Sequence, residues 1–388
     1  MKKLPALVLL VPALFFACRQ TGETSQAKAI IETIRQEYAP DKRVALFRVD
    51  TTFAKIPVLL LGETNLPAAK QALIEQLTAA GIPFTDSLAL LPSPSLAGLH
   101  HGIVNVSVCN IRSEPKHASE LATQALLGTP LRVWKKEGNF YLVQTPDDYL
   151  GWLDAGGAIC MDASQWEAWM QSERAIVTTD YVFAYEQAAE TSQKITDLLA
   201  GNILQTIENQ GRFTKVKLPD GRTGHVLTNH LAPLRQWLDS RQPDAAHIIA
   251  TAMEMMGRPY LWGGTSGKGM DCSGFTKMVF FLNGLLLPRD ASQQVLIGDP
   301  IETDTTLANL LPGDLLFFGK KATPDQREKI THVAIYLGDG KIIHASTRVE
   351  IESLRRGEAD FAEERLLTFV RGRRVIGMSE GMDALRVR

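Results

Sequence analysis

Cysteine is scarce in this chain, because only four of its 388 residues are cysteines. With Cys18 set aside, Cys109, Cys160 and Cys272 form an odd number, so at least one thiol must stay unpaired. Cys109 and Cys160 are left either as a disulfide or as two inert residues. No pair of cysteines or histidines has the close spacing that zinc ligands usually show, so a metal centre has no support.

The chain also lacks an excess of charge of either sign. Its 41 lysines and arginines nearly balance its 43 aspartates and glutamates, which gives a formal net charge of −2. No basic field for nucleic acid is therefore indicated. The glycine-rich segment 263–269 lacks the Lys-Ser/Thr ending of a phosphate-binding loop. The length is sufficient for two to four compact domains.

A long apolar run occurs at the start of the sequence, at residues 4–17, behind two lysines. It is too short to cross a bilayer and predicts an export signal. The stretch Leu-Phe-Phe-Ala-Cys at 14–18 resembles the bacterial lipobox, which implies lipidation of Cys18 and a lipid anchor in the cell envelope. Ordinary signal peptidase cleavage nearby is the alternative. The polar residues 19–28 are expected to form a flexible tether.

The next segment has the alternating pattern of a small α/β unit, with no grouping of catalytic residue types. A packing or docking role is the better interpretation. The periodicity predicts a helix at 27–36, strands at 43–49 and 57–62, and a second helix at 67–80 that ends at Gly81.

From about residue 102 the chain changes to short β-type runs that contain an internal repeat. Seven positions agree at one constant offset, without a gap: Gly128, Leu131, Gly138, Phe140, Val143, Asp147 and Gly151 match Gly201, Leu204, Gly211, Phe213, Val216, Asp220 and Gly224. The shared pattern resembles bacterial SH3-like domains, which predicts two in tandem. The second copy has Arg222 and His225 in place of Tyr149 and Trp152, so the first copy is the better candidate for ligand contact.

The sequence Asp-Cys-Ser-Gly at 271–274 follows a glycine-rich loop and starts an apolar helix. A thiol at a helix N-terminus faces the positive end of the helix dipole, which predicts a lowered pKa for Cys272. The unpaired N–H groups there can also bind an oxyanion. Cys272 is therefore a candidate nucleophile.

Two histidines follow in a predicted β-hairpin, whose turn is Gly-Asp-Gly at 338–340. His332 starts the first strand and His344 lies late in the second, so antiparallel pairing can bring their side chains together. One would then act as base and the other would orient it.

Six motifs in this order closely resemble the NlpC family of papain-like cell-wall cysteine peptidases, over about residues 245–375. They are Tyr-x-Trp-Gly-Gly, Asp-Cys-Ser-Gly, Leu-Pro-Arg, Pro-Gly-Asp-Leu, His-Val-x-Ile-Tyr-Leu-Gly and Ile-His-Ala-Ser. The resemblance implies that Cys272 is the nucleophile, His332 the general base and His344 the orienting residue. It also implies that the backbone N–H of Cys272 binds the oxyanion.

The same resemblance implies a set of substrate contacts. Tyr260 would lie beside the nucleophile, and Asp271 and Ser273 would line the adjacent subsites. The acid after Pro-Arg, Asp290, is similar to that of relatives that recognise a free N-terminal L-alanine, and a carboxylate suits an ammonium group. A helix cap is the alternative role for Asp290. By analogy, Tyr149 and Glu114 of the first SH3-like domain would contact the peptide, and Glu120 is the alternative to Glu114.

We therefore expect a multidomain α+β protein that ends in a papain-like cysteine peptidase domain. Its activity would be hydrolysis of the γ-D-glutamyl–diamino acid bond in murein peptides with a free N-terminal L-Ala, a step of wall-peptide recycling. Alternatives are an endopeptidase or amidase acting on intact peptidoglycan, and a non-catalytic wall-binding lipoprotein. We expect no cofactor, no metal, no nucleic-acid partner and a monomer. The predicted segments are a lipoprotein signal peptide at 1–18, the tether at 19–28, an N-terminal α/β domain at 29–100, SH3-like domains at 101–165 and 175–236, and the catalytic domain at 243–378.

Overall fold

The computed structural model describes residues 11–52 and 57–378, together with Met382 and Leu385. The chain forms two compact units, Met1–Ala97 and Gly98–Arg388. Among the described residues, none of the helices combines the length and the apolar character needed to cross a membrane.

The first unit is a four-stranded sheet with two helices. Strand β2 lies at its centre, antiparallel to β1 and parallel to β3 and β4. Both helices share one apolar core with the sheet, formed by residues such as Ile34, Leu60 and Leu73. The elements are α1 (Val11–Tyr38), β1 (Phe47–Thr52), β2 (Val58–Thr64), α2 (Pro67–Ala79), β3 (Phe84–Asp86), β4 (Ala89–Leu90) and a 3₁₀ turn (Pro94–Leu96).

The first helix corrects one prediction. Its backbone is helical from Val11 to Tyr38, so residues 19–28 are helix and not a flexible tether. This segment contains no proline, and Gln20, Glu23, Gln26, Ala27 and Lys28 are good helix formers. Residues 1–10 of the predicted signal peptide lie outside the described residues.

The second unit begins with two β-domains of seven strands each. The first β-domain comprises β5 (His101–Val104), β6 (Val108–Arg112), β7 (Leu121–Leu126), β8 (Pro130–Glu137), β9 (Phe140–Gln144), β10 (Leu150–Asp154), a 3₁₀ turn (Ala155–Gly157), β11 (Ala158–Met161) and α3 (Ala163–Gln171). The second β-domain comprises β12 (Arg174–Val177), β13 (Tyr181–Tyr185), β14 (Lys194–Leu199), β15 (Ile203–Gln210), β16 (Phe213–Lys217), β17 (Thr223–Leu227), a 3₁₀ turn (Thr228–His230), β18 (Leu231–Pro233) and α4 (Leu234–Ser240).

The two β-domains are structural repeats. Strands β5 to β10 precede β12 to β17 by the same constant offset that relates the repeated sequence positions, and each strand has the same length as its counterpart. The strand order is β11-β5-β8-β9-β10-β6-β7 in the first sheet, and the second sheet has the equivalent order β18-β12-β15-β16-β17-β13-β14. The predicted internal repeat is confirmed.

The C-terminal domain is a six-stranded sheet packed against α6. Strand β22 alternates between the two faces: Leu315 and Phe317 join the core under α6, while Leu316 and Phe318 join the core on the α8 side. The sheet order is β21-β26-β22-β23-β24-β25. The elements are α5 (Ala245–Glu254), β19 (Thr265–Ser266), β20 (Gly269–Met270), α6 (Cys272–Leu282), α7 (Ala291–Gln294), β21 (Asp299–Ile301), β22 (Leu315–Lys320), β23 (Lys329–Gly338), β24 (Lys341–Ala345), β25 (Val349–Ser353), α8 (Glu363–Thr368) and β26 (Phe369–Arg374).

The first β-domain docks directly on the loop that precedes α6. The Gln124 backbone N–H donates to Thr265 Oγ1 over 3.1 Å, and the Thr265 N–H donates to Gln124 Oε1 over 3.0 Å. Gly263 of this loop has φ +78°, and a Cβ there would lie 2.1 Å from the Leu121 carbonyl oxygen. Only glycine allows so close an approach of the two backbones.

Candidate active site

Cys272 is the first residue of α6 and is 8% exposed. The preceding Asp271 caps the helix, because its Oδ1 accepts a hydrogen bond from the Gly274 N–H over 2.7 Å. Its Oδ2 accepts from the Gly263 N–H over 3.0 Å, which ties the preceding loop to the helix start. The cap thus determines where the thiol lies.

The predicted lowering of the Cys272 pKa is wrong. Burial, followed by the Asp271 carboxylate, raises the pKa of this thiol from 9.0 to about 11. Backbone hydrogen bonds from Val333 and Ser273 act in the opposite direction but do not outweigh burial. The thiol is therefore protonated at neutral pH and needs a base. The bond from Val333 also places the sulfur beside the segment of β23 that carries His332.

The two histidines of the hairpin are in contact, as expected. His332 lies in β23 and His344 in β24, and the antiparallel pairing of these strands brings His332 Nε2 to 2.7 Å from His344 Nδ1. His332 is 8% exposed and His344 is fully buried. Asp339, in the predicted turn, has φ +51°. The pair leaves the other ring nitrogen of His332 available to accept a proton.

Burial lowers the pKa of His332 well below 6.5, and the positive charge of Arg365 and the neighbouring His344 lower it further. At neutral pH this imidazole is uncharged. The protonated thiol and this uncharged imidazole form the neutral pair of groups that a proton transfer from sulfur to nitrogen would require.

The depressed pKa of His332 predicts a loss of stability in acid. The unfolded chain binds a proton at this histidine below pH 6.5, whereas the folded chain does not until the lower folded pKa is reached. The free energy of unfolding should therefore fall as pH drops from 7.5 through 6.5, by at most about 1.4 kcal/mol per pH unit from this group. Urea denaturation at pH 7.5 and 5.5 would measure the fall. His332→Gln should show a smaller fall, and an unchanged pH dependence would contradict the assignment.

A buried arginine that the sequence analysis did not single out holds the site together. Arg289 is 1% exposed, and its guanidinium donates to both Asp271 carboxylate oxygens over 3.0 and 2.6 Å and to Ser273 Oγ over 3.0 Å. Asp271 and Ser273, predicted as subsite residues, are both buried in this network. The Leu-Pro-Arg motif contained the signal, but the sequence did not show the partners of the arginine.

Tyr260 lies close to Cys272. It is half-buried, and burial followed by the charges of Cys272 and Asp271 raises the pKa of its phenol to about 12. The phenol therefore stays protonated and can donate a hydrogen bond into the site.

Tyr149 and Asp290 come together although they lie in different domains of the second unit. The Tyr149 hydroxyl donates to Asp290 Oδ2 over 3.1 Å. Asp290 also forms a capping box with Gln293 at the start of α7, so the alternative capping role is present as well. The turn that carries Tyr149 is anchored by Asp147, which forms a buried ion pair with Lys277 of α6. The first β-domain thus reaches the edge of the site.

Glu114 and Glu120, the two alternatives for a peptide contact from the first SH3-like domain, have different surroundings in the structure. Glu114 is exposed and pairs with Lys116 on its own loop, 2.5 Å away. Glu120 instead accepts a hydrogen bond from the indole Nε1 of Trp262 over 2.7 Å. Trp262 belongs to the loop before Cys272 and is 63% exposed. Among the two glutamates, it is Glu120 that contacts the C-terminal domain.

The remaining cysteines do not form a bridge. Cys109 and Cys160 are both free. Burial, followed by the charge of Asp154, raises the pKa of the Cys109 thiol to about 12, so this thiol stays protonated at neutral pH. The open question of a disulfide is answered in favour of two separate residues.

Comparison with known proteins matches two parts of this chain to family models. Residues 257–371 match the NlpC/P60 family, and residues 111–156 match the bacterial dipeptidyl-peptidase Sh3 domain. A γ-D-glutamyl-L-lysine dipeptidyl-peptidase of Bacillus cereus is 31% identical over 59% of this chain and 68% of its own length. The chain belongs to the NlpC/P60 family. A dipeptidyl-peptidase 6 of Lysinibacillus sphaericus is 28% identical over 66% of this chain and 92% of the relative.

Solved NlpC/P60 structures have the same fold. An NlpC/P60 family protein from Bacillus cereus superposes with a TM-score of 0.60 at 25% identity, over 71% of this chain and 99% of that one. An NlpC/P60 endopeptidase from Photobacterium damselae subsp. piscicida has a TM-score of 0.54 at 16% identity, over 89% of this chain and 81% of that one, and shows the fold alone. The predicted combination of SH3-like domains with a C-terminal papain-like domain is confirmed, and the chain is a member of a peptidase family.

Proposed function

We propose that the chain is a cysteine peptidase that hydrolyses the γ-D-glutamyl–diamino acid bond of short murein peptides with a free N-terminal L-Ala. The contact between Tyr149 and Asp290 carries this proposal, because it joins the first β-domain to the C-terminal domain at a carboxylate beside the site. The names of the relatives agree: two are γ-D-glutamyl-L-lysine dipeptidyl-peptidases, at 31% and 29% identity.

The proposed reaction uses the neutral pair. His332 takes the proton of the Cys272 thiol as the sulfur attacks the γ-D-glutamyl carbonyl carbon, and the backbone N–H of Cys272 binds the oxyanion. His332 then gives that proton to the departing amine of the diamino acid, and a thioester with the L-Ala-γ-D-Glu part remains. Water, deprotonated by His332, hydrolyses the thioester and restores the thiol. No metal or organic cofactor is required.

Specificity for a free amine would come from charge. Asp290 is partly exposed, at 27% of its side chain, and can form a charge-assisted hydrogen bond with an ammonium group. The Tyr149 hydroxyl, which already contacts this carboxylate, would orient it. A stem peptide still attached to glycan has that nitrogen acylated and would not fit this contact.

The proposal is tested by offering purified protein two peptides, L-Ala-γ-D-Glu-diaminopimelate and the same peptide acetylated on its N-terminus, with mass-spectrometric product analysis. Cleavage of the free peptide alone, absent in Cys272→Ala, is expected. Equal cleavage of both would favour an endopeptidase of intact wall. No Cys272-dependent cleavage of either peptide would favour the amidase or the wall-binding alternative, because neither peptide contains the bond between glycan and L-alanine.

Matched variants sharpen this test. Asp290→Asn keeps the helix cap and the acceptor for Tyr149 but removes the charge, so KM for the free peptide should rise about 10- to 100-fold, with no such rise for the acetylated peptide. Glu114→Gln and Glu120→Gln decide which glutamate serves the substrate. The hydrogen bond from Trp262 to Glu120 supports Glu120.

We further propose that the protein is exported and anchored in the cell envelope by a lipid on Cys18, as a monomer. The short apolar run before Cys18 supports the export and the lipid anchor. Metabolic labelling with a fatty acid should mark the native chain and not the Cys18→Ala variant.

A further inference from the structure

The strand next to the two histidine strands, β25, carries a carboxylate that contacts His344. His344 Nε2 lies 2.8 Å from Oε2 of Glu352, which is on β25. His344 is directly opposite Glu350 in the strand register, so Glu352 is its diagonal neighbour on the same face of the sheet. Both atoms are shielded from solvent, and neither makes a hydrogen bond of full geometric quality with any group among the described residues. The 2.8 Å contact between them is therefore an ion pair, and the charge of Arg365 lies farther from Glu352, at 4.0 Å.

This contact determines where the protons lie. An ionised carboxylate only accepts, so a His344 ring with one proton holds it on Nε2, facing Glu352. His344 Nδ1 then carries a lone pair and must accept from His332 Nε2–H, 2.7 Å away. The remaining nitrogen of His332, Nδ1, is left as a lone pair for the thiol proton. The reverse arrangement would leave two lone pairs facing each other.

The charge of Glu352 also opposes that of Arg365. Arg365 Nε lies 4.0 Å from Glu352 Oε2, and the arginine charge lowers the pKa of His332. The contact with His344 is the largest cause of a lowered pKa at Glu352, so this carboxylate is ionised at neutral pH. It favours a positive charge on the two imidazoles when His332 takes a proton.

The other carboxylates near His344 and Glu352 form ion pairs with other residues. Asp360, which acts on Glu352 from the loop before α8, is held by Lys341, with Nζ–Oδ1 at 2.9 Å. Glu350 lies 3.4 Å from Arg348. Glu350 thus provides a matched control on the same strand.

We propose that Glu352 is a positioning residue, which acts through His344 to hold His332 in the tautomer that accepts the Cys272 proton and to stabilise the imidazolium that results. This inference rests on the proposed roles of Cys272 and His332. It adds Glu352 to Cys272, His332 and His344 as a fourth residue of the site.

The test needs no substrate. The full-length protein is treated with iodoacetamide between pH 4 and 9, and modification of the Cys272 peptide is followed by mass spectrometry, which separates it from the other cysteines. In Glu352→Gln the plateau rate should fall roughly three- to tenfold, because a charge close to His332 is lost. The fall of the alkylation rate on the acid side of the pH profile should move to lower pH, since His332 becomes a weaker base. Glu350→Gln should stay within about twofold of the native rate.

The outcomes separate the inference from the proposed function. If His332→Ala slows alkylation but the pH profile of Glu352→Gln superposes on that of the native protein, or moves to higher pH, Glu352 has no positioning role. If His332→Ala does not slow alkylation, the proposed base itself is wrong. If Glu350→Gln and Glu352→Gln reduce the alkylation rate equally, the effect comes from the overall negative charge of β25, and the inference is overturned.

A measurement on the native protein covers the case in which the variant does not fold. Long-range ¹H–¹⁵N correlation of histidine-labelled protein at neutral pH should show both His332 and His344 protonated on Nε2. The Nδ1–H tautomer at His344 would overturn the proposal.

Discussion

Cys272→Ala should reduce kcat for the free tripeptide by about 10⁴-fold or more, because the covalent step is lost entirely. His332→Ala should reduce it by about 10²- to 10⁴-fold, since the buried thiol has a pKa of about 11 and depends on a base. The two residues act in one step, so the double variant should be no slower than Cys272→Ala alone. Steady-state kinetics with chromatographic product detection would measure all three.

A fold control accompanies these variants. Each should keep the circular dichroism spectrum of the native chain, because neither side chain carries the helix cap or the Arg289 network. Retention of more than a tenth of the native kcat in Cys272→Ala would rule out a covalent mechanism at this residue.

Arg289→Met should destabilise the protein by about 3–5 kcal/mol. The arginine is 1% exposed and makes hydrogen bonds with both oxygens of Asp271 and with Ser273. Its removal leaves the Asp271 carboxylate buried without its charged partner. Urea unfolding of native and variant protein would give the difference in free energy.

The matched control is an exposed ion pair of the same domain. Arg356 lies 3.5 Å from Glu363, and both side chains are more than 60% exposed. Arg356→Met should therefore cost no more than about 1 kcal/mol. If Arg289→Met were equally mild, the network would not be what holds the nucleophile loop in place.

The sequence predicted those parts of the site that have a local pattern. The constant offset of the repeat, the helix after Asp271 and the hairpin around Asp339 can all be read from short stretches of the chain. His332 and His344 could be paired because a short turn leaves antiparallel strands little freedom of register.

The parts that could not be predicted depend on burial and on distant partners. The pKa of Cys272 is raised because desolvation outweighs two backbone hydrogen bonds, and the extent of burial is not visible in the sequence. Glu352 and Glu120 have no motif around them, and their importance comes from contacts made after folding, with His344 and Trp262.

The tandem repeat has a consequence for how the domains of the second unit are joined. The equivalent turn contacts a neighbouring domain in both copies. Asp147 of the first copy pairs with Lys277 of α6, and Asp220 of the second accepts a hydrogen bond from the Asn105 amide of the first over 3.1 Å. The domains are thus joined in series through one equivalent position of the repeat. The two copies differ two residues further on, where the first has Tyr149 in contact with Asp290 and the second has Arg222.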